Sequence, residues 1–275
     1  MPVLLSFSSP LQQRIHKVLC FKGHQIVCLF ADTHKLHRQL QGICYSDEKV
    51  IRLASMKTAA PDFRIFWDNA YGVHHIYSEE RVYDIFRAAD DAGNPDRVFY
   101  FFSTSKITFP GAGVALMASS PANLKEVRKH MSVQTIGHDK LNQLRTVTYL
   151  KNAEGVREHM RQLAAELRPK FDIVLQTLKR ELEGSGLACW TSPKGGYFVA
   201  LDTLDGCASE TIRLAREAGV VMTGAGATFP YGKDPRDRNI RIAPTYPTVT
   251  ELQTAMELFC VCVKLAGINR LLESK

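Results

Sequence analysis

The sequence predicts an α/β protein, with a mainly parallel sheet flanked by helices and a smaller α+β domain at the C-terminal end. Two observations predict it. Short apolar runs alternate with segments of helical period from about Gly42 to Ala118, the order of a strand–helix sandwich. After a long helical stretch come short strand-like runs and one closing helix, which suit a separate and smaller unit.

Residues 1–41 read differently. They are rich in His, Gln, Cys and Ser and show no clear period. From Gly42 the signals sharpen. Ser46-Asp47-Glu48 is a cap signal for a helix through about Met56. Arg64 to Asp68 is a buried strand that ends in a carboxylate. Glu79 to Ala92 is an amphipathic helix closed by Gly93-Asn94-Pro95. Val98 to Phe102 is a second buried strand, followed by the polar run Ser103-Thr104-Ser105-Lys106, and Val114 to Ala118 is a third. Leu141 to Glu183 is helical, with breaks expected near Asn152 to Gly155 and at Pro169. Gly195 to Leu201 returns to strand, and Gly195-Gly196-Tyr197 marks a start where backbones approach closely. Ser209 to Ala218 is a helix, Val220 to Thr223 and Asn239 to Ile242 are short strands, and Val249 to Leu272 is the closing helix. The expected division is an atypical segment at 1–41, a large domain at 42–150, and an interdomain helix with a small domain at 151–275.

Composition narrows the function classes. Hydrophobic residues make up 45% of the 275 positions and charged residues 23%, enough apolar material for a packed core. The net charge is +7, yet Lys and Arg are scattered among acids, as in Arg236-Asp237-Arg238. No basic stripe interleaves with aromatics, so no nucleic-acid partner is expected, and a mild positive field suits an anionic cofactor and substrate. No apolar run is long enough to span a bilayer, and the first residues lack a signal-peptide pattern, so no membrane partner and a cytoplasmic location are expected. Seven cysteines without a CxxC pair read as reduced thiols, Cys260 and Cys262 as core residues. The adjacent His74 and His75 do not make a metal site, because neighbours in sequence do not readily face one ion and no carboxylate is spaced to join them. No metal is expected.

Three features occur in a telling order. Asp68-Asn69-Ala70-Tyr71 directly follows a strand. Ser103-Thr104-Ser105-Lys106 directly follows another. Asn239-Ile240-Arg241-Ile242-Ala243 lies near the C-terminus. Ligands of open α/β sheets sit beyond the carboxyl ends of the strands, where the first two would lie. A lysine amine can condense with an aldehyde cofactor, and a carboxylate beside a pyridine nitrogen keeps that nitrogen protonated. Serine hydroxyls can donate to a phosphate, and an arginine fork can clamp a carboxylate. Alone, each feature is weak. An Asp at a strand end more often caps a helix or turn, a Ser-x-Ser-Lys run occurs by chance, and a strand Arg is usually a surface ion pair.

Together these residues resemble a known family. Phe66 to Tyr71, Ser103 to Gly113 and Asn239 to Pro244 are similar to the atypical, MocR-like subgroup of aspartate aminotransferases, within the fold-type-I pyridoxal-phosphate enzymes. The resemblance runs from about Gly42 to the C-terminus. It implies a partial large domain of that fold and pyridoxal 5'-phosphate as cofactor. It implies Lys106 as the cofactor-holding lysine and proton-transfer base, and Asp68 as the partner of the pyridine nitrogen. Tyr71 would bind the ring's phenolic oxygen, Ser103 and Ser105 the phosphate, and Arg241 the substrate α-carboxylate. Lys106 must be neutral to act as a base, and partial burial is the expected means. The implied reaction is transamination between an amino acid, aspartate, and a 2-oxo acid, 2-oxoglutarate, in a homodimer.

Departures from the family set the alternative. The wider superfamily has an Arg about eight residues after the lysine; here that stretch is Gly111-Ala112-Gly113-Val114. The Asn-Pro-x-Gly turn of the family is replaced by Gln39-Leu40-Gln41-Gly42. The Gly/Ser-rich phosphate loop and the ring-stacking aromatic of full-length relatives have no counterpart. Residues 1–41 are therefore expected to be a frameshifted or wrongly started translation of a truncated chain. The alternative function is a catalytically inactive remnant.

Overall fold

The computed structural model describes residues 5–8 and 44–273. The expectation for residues 1–41 as a segment falls, apart from 5–8, outside the described residues. The chain divides into two compact units. The first comprises Tyr45–Val73 and Arg81–Met160 together with the strand at residues 5–8; the second comprises His74–Glu80 and residues 161–273. The division falls inside a single helix, between Met160 and Arg161.

The first unit holds β1 (Leu5–Ser8), α1 (Asp47–Ser55), β2 (Ile65–Asp68), α2 (Ile85–Asp91), β3 (Val98–Ser103), β4 (Val114–Ser119), α3 (Pro121–Gln134), α4 (Lys140–Leu150) and the start of α5 (Ala153–Leu182). Its sheet runs in the order β1-β4-β3-β2. The expected parallel pairing is found between β2 and β3, with Phe66 opposite Phe99 and Asp68 opposite Phe101. β3 with β4 and β1 with β4 are antiparallel. For β3 and β4 the cause is the connection at residues 104–113, too short for the crossover helix that a parallel return needs. The rings of Phe66, Phe99 and Phe101 stack across the strands at 5.3 and 5.5 Å. From the other face, Val98 packs with Val50 and Ala54 of α1 and with Ile85, Ala88 and Ala89 of α2.

Side chains bind the ends of these elements. Arg97 Nη1 donates to the carbonyls of Ala54 and Met56 at 2.7 and 2.8 Å, closing α1. Asp84 caps α2 by accepting from the N–H groups of Phe86 and Arg87. That cap starts the helix at Ile85, not at Glu79 as the sequence pattern predicts, and His74–Glu80 belongs to the other unit. The helix α3 was not expected; Ser120 caps it and Pro121 takes its first position.

The break between α4 and α5 comes where the sequence places it. Lys151 is left-handed at φ 60°, and Asn152 Oδ1 accepts from Gly155 N at 2.9 Å. No break occurs at Pro169, which lies inside α5. Leu167, Phe171, Val174, Leu178 and Leu182 bury one face of this helix in the second core, and that packing outweighs the lost hydrogen bond.

The second unit contains the rest of α5, β5 (Ala188–Trp190), β6 (Val199–Thr203), α6 (Ala208–Glu217), β7 (Asn239–Ile242) and α7 (Val249–Glu273). Its three strands form an antiparallel sheet in the order β5-β6-β7. The expected strand at Val220 to Thr223 is irregular chain. Val220 N is spent on closing α6 through Ala215 O, and Val221 is 80% exposed. Gly195 does mark a close approach: a Cβ there would strike the His74 carbonyl, and Gly196 N donates to that carbonyl at 2.8 Å. Cys260 and Cys262 are buried in α7, and burial pushes the Cys260 thiol up to about 12. No helix among the described residues is long and apolar enough to cross a membrane.

Candidate active site

Five of the six candidate residues lie at one edge of the first unit's sheet. Asp68 ends β2 and Tyr71 sits in the turn behind it. Ser103 ends β3, the parallel neighbour, and Ser105 and Lys106 follow in the next turn. Parallel strands point their carboxyl ends the same way, so the β2 and β3 loops leave the sheet together. Arg241 stands on β7 in the second unit.

The turn after β2 is locked from within. Asp68 Oδ1 accepts from Ala70 N at 3.0 Å, and Asn69 N donates to Phe101 O at 2.9 Å. Gly72 N closes the turn on Asn69 O at 3.1 Å, and Asn69 Nδ2 donates to the Tyr100 hydroxyl at 2.5 Å. Burial pushes the Asp68 carboxyl above its ordinary value, and the Ala70 N–H offsets part of that rise. Burial likewise raises the Tyr100 phenol, against the lowering effect of the Asn69 bond.

The loop after β3 is stitched more densely. The hydroxyls of Ser103 and Ser105 lie 2.7 Å apart, and Ser105 N donates to Ser103 Oγ at 3.1 Å. Between them, buried Thr104 exchanges backbone and side-chain bonds with Val114: its N–H donates to Val114 O at 2.9 Å, and its Oγ1 accepts from Val114 N at 2.8 Å. Thr104 O accepts from the N–H groups of both Ile107 and Thr108 at 2.9 Å. Through its backbone N–H and carbonyl, Val114 at the start of β4 thus holds this loop. Gly113 lies against Ser105 so closely that a Cβ would overlap its backbone.

Lys106 is exposed, not partly buried as the resemblance leads one to expect, because its turn projects beyond the end of the sheet. Two residues without an assigned role in the sequence reading touch this loop. Asn142 of α4, buried, donates from Nδ2 to Gly113 O at 3.3 Å, and its Oδ1 meets no donor among the described residues. His159 of α5 places Nε2 2.6 Å from Ile107 O and Nδ1 3.3 Å from the Tyr149 hydroxyl. Neither contact has a sequence signature, since both end on backbone carbonyls distant along the chain.

In the second unit, the guanidinium of Arg241 lies over the Phe198 ring, 4.7 Å from its centroid, and Nη2 donates to Thr223 Oγ1 at 3.3 Å. Its buried Nε has no acceptor among the described residues. It opens on a cleft of about 680 Å³ that Val221, Met222, Tyr246 and Glu251 also line. A stacked, fork-shaped cation with a spare donor is suited to a carboxylate. The start of β7 is fixed by Asn239, which accepts from Thr228 Oγ1 at 2.8 Å and donates to Asp202 Oδ1 at 2.6 Å. Among the described residues, no group of three or more His, Cys, Asp or Glu could hold a metal ion.

Comparison with known proteins gives a consistent picture. The family described as "Aspartate amino-transferase" matches residues 27–275, starting upstream of Gly42. An aspartate aminotransferase of Corynebacterium glutamicum is 47% identical over 247 residues, covering 90% of this chain and 56% of the relative. A crystal structure of an aspartate transaminase from the same organism superposes with a TM-score of 0.81 at 45% identity, over 84% of this chain and 55% of that one. An α-aminoadipate aminotransferase of Thermus thermophilus, complexed with N-(5'-phosphopyridoxyl)-L-leucine, has a TM-score of 0.65 at 23% identity, over 80% of this chain and 54% of that one, and speaks for the fold alone. The chain spans about half the length of the relatives it matches.

Proposed function

The chain belongs to the aspartate amino-transferase family, and from that premise we propose that it serves a pyridoxal-phosphate-dependent transamination between aspartate and 2-oxoglutarate. One observation carries the reading: a half-buried carboxylate and a lysine loop leave the same edge of one sheet from two adjacent parallel strands. Pyridoxal phosphate, when bound, supplies an aldehyde and an electron-withdrawing ring.

The donor set suits that group. Asp68 would pair with the ring nitrogen. Its carboxyl is raised by burial, with only the Ala70 N–H lowering it among the described residues, so a positive partner would stabilise its charged form. Ser103 and Ser105 would turn their mutually bonded hydroxyls to the phosphate, and Tyr71 would donate to the phenolic oxygen. Lys106 Nζ would hold the aldehyde carbon. The same amine would be placed to move a proton at the substrate α-carbon. Arg241 would bind the α-carboxylate through its fork. A homodimer and a cytoplasmic setting belong to the same reading.

A second reading, a member of the family that binds cofactor without turnover, is favoured by the exposure of Lys106. A loop open to water shields the reacting atoms from solvent less well. One experiment tests both. The full chain is mixed with pyridoxal phosphate, reduced with borohydride, and digested for mass spectrometry, and amino transfer from aspartate to 2-oxoglutarate is followed in parallel. A fixed adduct on Lys106 that Lys106→Ala abolishes, together with turnover, supports the first reading. An adduct without turnover supports the second. An adduct on other lysines alone, or none, sinks both.

A further inference from the structure

We propose that His159 is a positioning residue for the lysine loop, holding the Ile107 carbonyl so that Lys106 presents its amine in one direction; this rests on the reading that Lys106 holds the cofactor. A carbonyl oxygen can only accept, so the 2.6 Å contact requires the proton on His159 Nε2. In the neutral ring, Nδ1 is then the acceptor for the Tyr149 hydroxyl at 3.3 Å, and the phenol ring stands edge-on to the imidazole at 5.4 Å. Both ring nitrogens are engaged, which fixes the plane of the imidazole against the loop.

The tether acts at a sensitive place. The peptide group before Ile107 is fixed by Ile107 N on Thr104 O, and the next one by Thr108 N on the same oxygen and by His159 on Ile107 O. Ile107 itself is 4% exposed. The backbone on the C-terminal side of Lys106 is thus bound from within the loop and, through His159, from α5. Lys106 is exposed, and the direction of its backbone sets the space its amine can reach. His159 lies near the end of the α5 segment that belongs to the first unit, a rigid platform for a loop contact.

The test compares wild type with His159→Gln, whose amide nitrogen reaches the place of Nε2, His159→Asn, whose amide is too short, and His159→Phe, which cannot donate. Amide hydrogen exchange over residues 104–109 is measured without cofactor. Pyridoxal-phosphate affinity and the site of the borohydride-fixed adduct are measured on the full chain. The expected result is faster exchange and roughly tenfold weaker binding in the Asn and Phe variants, with both restored in the Gln variant. If exchange rises but affinity and adduct formation at Lys106 do not change, the tether is structural only and the proposal is overturned. It is also overturned if the folded Gln variant behaves like the Asn variant. A wild-type chain with no adduct on Lys106 overturns the cofactor reading, and this inference with it, whatever the exchange data show. A Phe variant that fails to fold leaves the Gln and Asn pair to decide.

Discussion

In the second unit, Phe171, Leu178, Leu182, Leu201 and Phe259 are each at or below 1% exposure, packed in one cluster; in the first, the cluster around Val50 and Val98 is filled out by Ala54, Ala88 and Ala89. Burying a large aliphatic or aromatic side chain contributes about 1.5–3 kcal/mol, and an alanine much less. The first unit also leaves Phe109, Leu141, Leu144 and Val147 more than 60% exposed. Among the described residues, the candidate chemistry therefore sits mostly beside the more thinly filled of these two clusters. There its geometry depends on polar stitches around Asp68 and Thr104 more than on apolar packing. Depth of core and density of functional loops are separate properties, and this chain divides them between its halves.

The largest test of that contrast is Phe259→Ala, which should destabilise the second unit by about 3–5 kcal/mol, against about 1 kcal/mol for Ala88→Gly in the first. The chain has two tryptophans, Trp67 in the first unit and Trp190 in the second. Trp67→Phe and Trp190→Phe backgrounds let fluorescence in urea report each unit by itself. If Phe259→Ala moves both reporters equally, the units unfold as one and their separate stabilities lose meaning.

A smaller contrast concerns glycines. Gly195→Ala puts a methyl into the His74 carbonyl and should cost about 1–3 kcal/mol, because backbone must move. Gly93→Ala meets open space but keeps a left-handed φ of 71°, so roughly 1–2 kcal/mol is expected. Thermal melts of the two variants that reversed this order would put strain ahead of crowding.

The smallest effect has the opposite sign. Burial raises the Asp68 carboxyl above its ordinary value of 3.8, so the folded chain holds that proton more tightly than the unfolded one. The stabilising contribution is complete below 3.8 and fades as pH climbs through the raised value. Asp68→Asn keeps an acceptor for Ala70 N and has no charge to desolvate. It should match wild type in acid and exceed it in stability at neutral pH, and on the proposed cofactor reading it would bind pyridoxal phosphate more weakly. A variant less stable at pH 7 would show that the carboxylate has an unrecognised partner.

Much of this was legible in the sequence, for physical reasons. β2, β3 and β4 are continuous apolar runs bounded by turn residues, and Lys106, Asp68, Ser103 and Ser105 follow such runs directly, so the strand ends locate them. The helix α3 was missed because Asn123 and Leu124 are its only fully buried residues, too few to set a period, although Ser120-Pro121 is a start signal. The pattern at Glu79 to Tyr83 fits a helix, but Asp84 caps one turn later. Pro169 reads as a break because local rules ignore the core that α5 joins. Asn142 and His159 act on backbone groups far along the chain, and such contacts leave no spacing to read.

Thr104 draws out a thermodynamic consequence. With both its backbone groups and its hydroxyl engaged, the Ser103 to Thr108 segment is ordered when the chain folds, before any small molecule arrives. The entropy of immobilising that segment is charged to folding and withheld from association. On the proposed reading, an arriving anionic aldehyde would then not wait for the slow rearrangement that a loosely held loop would impose.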